Sequence, residues 1–161
     1  MKKQLLFGHL LTLIIGGLIY ISFRTDSLVM FKWFAALSLD TPIEYLRETT
    51  LTVKQHFPNW FLFSLPDGLW IFSYISLTLL IWGNNINKRN LFWVFLIPFI
   101  AISSELGQLF NIVPGTFDAI DLTFYITGAI SPFIFFTNNL LTFKTKTTWT
   151  KSYDTLHLLS Q

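Results

Sequence analysis

Glu105, Gln108, Asp118 and Asp121 fall within seventeen residues, in the string Ser104-Glu105-Leu106-Gly107-Gln108-Leu109-Phe110-Asn111-Ile112-Val113-Pro114-Gly115-Thr116-Phe117-Asp118-Ala119-Ile120-Asp121, where one long apolar run gives way to the next. A carboxylate beside hydrocarbon costs free energy, so it needs a partner, a proton or water, and it marks a candidate functional site. Glu105, Asp118 and Asp121 offer oxygen ligands of the kind a hard divalent cation takes, or acceptors for a cationic ligand group. As an enzyme, the chain would use Glu105 or Asp121 as general base, and acid–base or metal-assisted transfer is the chemistry these side chains support. The residue types are equally compatible with binding and with catalysis.

Other chemistries find no support. The chain has no cysteine, which excludes disulfides, thiol nucleophiles and thiolate metal sites. No nucleophile elbow, phosphate loop or paired-histidine zinc motif is present. Ser103 and Ser104 precede Glu105, but no His or Lys is placed to activate either. His9, His56 and His157 are far apart in sequence, and solvated or interfacial positions are expected for all three. A net charge of +2 with scattered basic residues gives no nucleic-acid footprint.

The elements that must position the acids are membrane helices. Of the 161 residues, 52% are hydrophobic and only 12% charged, about half the charge of a soluble domain. Four runs reach the roughly 17 to 25 apolar residues that cross a hydrocarbon core as helix, at 5–23, 65–83, 91–110 and 121–143. The first follows Lys2 and Lys3, yet it is long for a signal peptide and lacks a small-x-small cleavage site, so it is expected to be retained. The expectation is an all-α membrane protein, a four-helix bundle with an external segment at 24–64. Within that segment 27–39 suits an interfacial stretch, and Thr41-Pro42-Ile43-Glu44 reads as a capping box opening an amphipathic helix to about His56. A basic, Thr-rich tail at 142–161 follows, with Trp149 at headgroup depth.

Basic residues set the orientation. Lys2 and Lys3, Lys88 and Arg89, and Lys144, Lys146 and Lys151 occupy one side, whereas the link holding Asp118 has none. Both termini are expected in the cytoplasm, and the acids at the outer mouth of the bundle. Asp67 opens the second span and Arg24 closes the first at that same depth. Several of these groups also have structural explanations. Asp67 complements a helix start capped by Ser64, and Asp118 and Asp121 have capping-box spacing. Gly107 and Gly128 suit close helix packing, Pro114-Gly115 suits a turn, and Gln108 suits interhelical bonding. Glu105 faces the negative end of its helix dipole and has the least ready structural explanation, so the functional expectation centres on Glu105 and on Gln108, which shares its face.

Glu105, Gln108, Phe117, Asp118, Asp121 and Gly128, with Leu65-Pro66-Asp67-Gly68-Leu69-Trp70 before them, resemble the VanZ-like superfamily of small bacterial membrane proteins over roughly 65–131. The resemblance implies a bacterial cytoplasmic membrane location and a cell-envelope role, the namesake being associated with resistance to the glycopeptide teicoplanin. The chain departs from the pattern at Gly115 and Thr116, where many relatives carry arginine, and at Tyr125, where they carry asparagine. Two functions compete. In one, Glu105, Gln108, Asp118, Asp121, Asp67 and Arg24 form an outward pocket, able to hold a divalent cation, that binds or modifies an envelope lipid, glycan or lipopeptide. In the other, the acids are a structural lock, with Arg24 paired to Glu105 or Asp121, in a scaffold, anchor or partner subunit.

Overall fold

The computed structural model describes residues 1–136, and every described element is helical. The helices are α1 (Gln4–Phe23), α2 (Val29–Ala36), α3 (Asp40–Leu51), α4 (Asn59–Phe63), α5 (Leu65–Ile81), α6 (Leu91–Leu109) and α7 (Ala119–Phe136), with one 3-10 turn at Lys54–His56. α1, α6 and α7 are long and apolar enough to cross a membrane. Their outward faces carry large apolar side chains such as Phe92, Phe99 and Phe135. In water such a surface would drive aggregation, whereas in hydrocarbon it is the solvated face, the mark of a multi-pass membrane protein. The end of the fourth expected run and the basic tail, with Lys144, Lys146, Trp149, Lys151 and His157, lie outside the described residues.

α5 is the hub, packed against α1, α7 and α6. Ile71, Ile75 and Leu79 of α5 meet Val94 of α6 and Ala129 and Phe133 of α7 in the apolar core. Lipid tails are as apolar as these side chains, so close backbone approach and polar bonds must supply much of the cohesion. α7 crosses α5 with Gly128 against the backbone of Gly68, while Gly16 of α1 makes room for the Trp70 indole. At the other end of α1, whose residues Gln4–Leu10 wind as a π-helix, Gln4 is buried and clasps α5. Its amide nitrogen donates to the Ser76 carbonyl at 3.0 Å and to Asn84 Oδ1 at 2.8 Å, and its own oxygen accepts from Asn84 Nδ2 at 3.0 Å. Gln4→Ala removes all three bonds and is expected to cost about 1–3 kcal/mol, measurable as a shift in the denaturant midpoint in detergent. Wild-type stability in that variant would refute the clasp.

His9, half-buried, is engaged in the same seam. Ser73 Oγ donates to the His9 carbonyl at 3.1 Å and meets His9 Nδ1 at 2.8 Å. With the hydroxyl proton committed to the carbonyl, Nδ1–H is the donor of the second bond.

Two expected caps are absent. Ser38, at φ 57°, turns the chain sharply after α2, with Leu39 N–H donating to Phe34 O at 2.9 Å. That turn places Leu39 at the N-cap of α3, so α3 opens at Asp40, before Thr41, and has no side-chain cap. α3 ends at Leu51, short of His56. Ser64 likewise makes no side-chain cap; its own amide donates to Trp60 O and its carbonyl accepts from Gly68, continuing α4 into α5. Only a break at Ser64 separates the two, because Pro66 lacks the N–H that would bond back to the preceding turn.

Candidate functional site

Arg24 ends α1, Asp67 begins α5, Glu105 lies in the last turns of α6, and Asp118 and Asp121 open α7, so three chain reversals bring them to one end of the bundle. Asp67 and Tyr125 each lie within electrostatic reach of Arg24, Glu105 and Asp121. Asp121 and Tyr125 are four apart on α7 and hence share a face. That spacing would have flagged Tyr125 from sequence; it was visible only as a departure from the VanZ-like pattern.

Glu105 is buried, at 3% exposure, and Glu105 Oε1 accepts the Asp118 N–H at 2.6 Å. Asp118 turns its own carboxylate back, Oδ1 accepting from Ile120 N–H at 2.8 Å, and its carbonyl accepts from Leu122 at 3.1 Å. Asp118 is therefore the N-cap of α7. In a capping box the residue three positions on, Asp121, would take the N-cap N–H. Here Glu105 reaches across from α6 and takes that bond. Asp121 is released from capping, and Asp121 Oδ1 is a buried atom with no hydrogen-bond partner among the described residues.

Arg24 pairs with Asp67, Nη2 to Oδ2 at 3.5 Å, and also donates from Nη2 to the Phe63 carbonyl at 3.2 Å. This corrects the expected pairing of Arg24 with Glu105 or Asp121. The Tyr20 and Phe63 rings flank the guanidinium at 5.1 and 5.4 Å, a cation–π arrangement that fixes its plane. Arg24 Nε is buried and lacks an acceptor among the described residues.

Gln108 lies elsewhere in the network. Its amide packs on Gly115, where a Cβ would meet Gln108 Cδ at 2.7 Å, and among the described residues its side chain makes no hydrogen bond. Gly115, at φ 140°, is thus required by the backbone of the turn, the Gln108 amide being the free end of a flexible side chain. The link itself is fixed by the end of α6. Asn111 takes φ 57°, with Ile112 N–H donating to Gly107 O at 2.8 Å and Asn111 N–H to Gln108 O at 3.0 Å, a Schellman closure.

Among the described residues no three His, Asp or Glu side chains are grouped to hold a metal ion. The cation-binding trio of Glu105, Asp118 and Asp121 is not assembled, because Glu105 is bound to a backbone amide and Asp118 is committed to its own helix.

The connection between α1 and α5 closes over this end. Arg47 of α3 donates from Nη1 to the carbonyls of Ile21 and Arg24, both at 2.8 Å, and stacks on Phe31. Trp60 of α4 stacks on Phe124 of α7 with centroids 5.8 Å apart. Arg47 carries no pattern that sequence reading could use, since both of its acceptors are main-chain carbonyls. No protein-family model, curated protein or solved structure matches the chain.

Proposed function

We propose that the chain is a VanZ-like, four-span protein of the bacterial cytoplasmic membrane with both termini inside, and that its outward polar cluster binds an envelope lipid, glycan or lipopeptide headgroup. The observation that carries this reading is the convergence of four charged side chains with two of their buried atoms, Asp121 Oδ1 and Arg24 Nε, left without partners among the described residues. Charges so placed beside hydrocarbon, with valences open, are the expected signature of a binding site.

Four spans are supported by the continuity of α4 and α5. α5 alone has 17 residues, but from Asn59 to Ile81 the nearly unbroken helix is about 34 Å long at about 1.5 Å per residue, enough for a bilayer core. With the termini inside, the mixed-charge connection and the cluster it covers face out. α3 then lies on the outer surface, its Ile43 and Leu46 half-buried toward the bundle and its Tyr45 exposed.

Asp121→Asn tests the site, because Asp118 and Glu105 maintain the helix start without Asp121. Reconstituted with a total envelope lipid extract and then stripped by detergent, the wild-type chain should retain one lipid or lipid-linked class by mass spectrometry. The variant should lose about tenfold of it while its melting temperature changes little, since a charge-assisted hydrogen bond contributes roughly 1.5–3 kcal/mol. Equal retention by the two proteins would rule out this site.

The structural-lock reading is favoured at two positions. Glu105, bound to the Asp118 amide, joins α6 to α7, and Arg24, paired with Asp67 and bound to the Phe63 carbonyl, joins α1 to α4 and α5. The lock and the site are therefore adjacent parts of one cluster.

A further inference from the structure

We propose that the face of α6 that begins at Lys88 holds one anionic phospholipid, with its phosphate on the Lys88 ammonium and an acyl chain along the Phe92, Phe95 and Phe99 rings.

A groove of about 590 Å³ runs along α6, within the range of about 300–1,000 Å³ that holds a small ligand. Among the described residues it is lined by Lys88, Leu91, Phe92, Phe95, Leu96 and Phe99. These positions recur at spacings of three and four, so they form one stripe whose single charge stands at one end. From Lys88 to Phe99 the stripe is about 16 Å long at about 1.5 Å per residue, half of the roughly 30 Å hydrocarbon core. That is the depth of one leaflet, with the headgroup at Lys88 and the chain end near the bilayer midplane. A second copy of the chain fits the stripe poorly, because membrane helices dock through small residues and the groove beyond Lys88 is lined by Leu and Phe alone.

Both ends of the groove are held in place. Val94 and Pro98 are buried on the bundle side of α6, and Phe95 stacks on Phe133 of α7 with centroids 5.8 Å apart. Asn90 is fully buried, accepts from Asn87 N–H at 2.8 Å and donates to the Asn85 carbonyl at 2.6 Å, while Asn87 Oδ1 accepts from Arg89 N–H at 2.9 Å. These bonds fix the backbone on either side of Lys88, whose side chain is exposed.

Charge selects the headgroup. Every acid among the described residues belongs to the connection after α1 or to the charged cluster, at the other end of the bundle. The Gln4–Asn84 clasp brings the two remaining segments together, so Lys2, Lys3, Lys88 and Arg89 share one end with no described carboxylate to pair them. Such an end favours anionic lipid by about fivefold per Lys or Arg and offers no acceptor acid to the ammonium of a zwitterionic lipid.

The full chain in nanodiscs of equal parts phosphatidylglycerol, phosphatidylethanolamine and phosphatidylcholine provides the test, read by mass spectrometry as lipid retained after detergent stripping. Phosphatidylglycerol is expected to be enriched about fivefold over each of the others. Lys88→Gln should erase that preference, whereas Lys3→Gln, which removes the same charge at the same end but outside the groove, should leave most of it. Asp121→Asn should leave all of it, which separates this groove from the charged cluster. Phosphatidylglycerol with a diazirine near the end of one acyl chain should crosslink at Phe95, Leu96 or Phe99. Equal retention of the three lipids, a preference that survives Lys88→Gln, or equal losses in Lys88→Gln and Lys3→Gln would each overturn the proposal. So would lipid crosslinks spread over the other helices, or a zero-length crosslink showing this face of α6 covered by a second copy or by another part of the same chain.

Discussion

Replacing Gly128 with alanine is expected to destabilise the chain by about 3 kcal/mol or more and to leave little folded protein in mild detergent. A Cβ at Gly128 would run into the carbonyl oxygen of Gly68, and the next atoms it meets are also Gly68 backbone, at 3.1 and 3.2 Å. Backbone cannot rotate away as a side chain can, so relief requires α7 to move off α5. That helix pair is packed extensively and holds the apolar core formed by Ile71, Ile75, Ala129 and Phe133. Glycine is therefore needed here for space, and the residue's cost as a flexible helix former is accepted in exchange for closer helix packing. Two other glycines calibrate the effect. Gly107→Ala would meet Val113 Cγ2 at 2.7 Å, a side-chain methyl and not backbone, so a smaller loss is expected. Gly17→Ala meets nothing within 4 Å and should be neutral or slightly stabilising through helix propensity. The three variants, compared by denaturant midpoint in one detergent, should rank in that order; a Gly128→Ala protein as stable as Gly17→Ala would show that the crossing lies elsewhere.

The same crossing decides the site. Gly68 follows Asp67, and Phe124, which packs on Gly68, lies one turn from Asp121. The contact that brings α5 and α7 together thus sets how near Asp67 and Asp121 come. A shift of the helices would change the charge cluster before it changed any single hydrogen bond within it.

Sequence reading succeeded where the solvent imposes a simple demand. Hydrocarbon requires long apolar helices, so the runs at 5–23 and 91–110 correspond to helices whose ends differ from them by one residue or fewer, and the run at 121–143 to a helix that begins two residues before it and whose end lies outside the described residues. Positive charge and turn chemistry likewise revealed that Arg24, Asp67, Glu105 and Asp121 belong at one end. Their pairing was not legible, for a physical reason. The partner of Glu105 is a backbone amide, the partners of Arg47 are backbone carbonyls, and Gln4 finds Asn84 eighty residues away. Main-chain groups are the same at every residue, so no side-chain pattern announces which one will be used. Local caps failed for a related reason. Thr41 and Ser64 have the right identity, but the αL turn at Ser38 and the helical continuation through Ser64 had already settled where the helices begin. The emphasis on Gln108 followed from its sharing a face with Glu105; its amide instead supports Gly115 in the link, and the open valence belongs to Asp121.

Glu105→Ala should cost less stability than the bond it removes, and should impair ligand retention as severely as a change at Asp121 itself. The wild-type bond from Asp118 N–H to a buried carboxylate is short and charge-assisted, the class that contributes roughly 1.5–3 kcal/mol. Once Glu105 is gone, the Asp118 amide has an alternative acceptor, because Asp121 stands at the position from which a capping-box acid reaches back to the N-cap. Asp121 then satisfies the orphaned amide and is withdrawn from the cluster. Glu105→Gln keeps an oxygen at the same place and should leave Asp121 free. The double variant Glu105→Ala, Asp121→Ala removes both acceptors, so its loss should exceed the sum of the single losses by about 1 kcal/mol. Denaturant midpoints for the four proteins give that coupling, and lipid retention gives the functional half. Additive losses, or full retention by Glu105→Ala, would mean that Glu105 does not hold Asp121 available. Coupling with lost retention would assign Glu105 a positioning role: a buried carboxylate that takes over a helix cap so that the residue built for the cap can face the ligand.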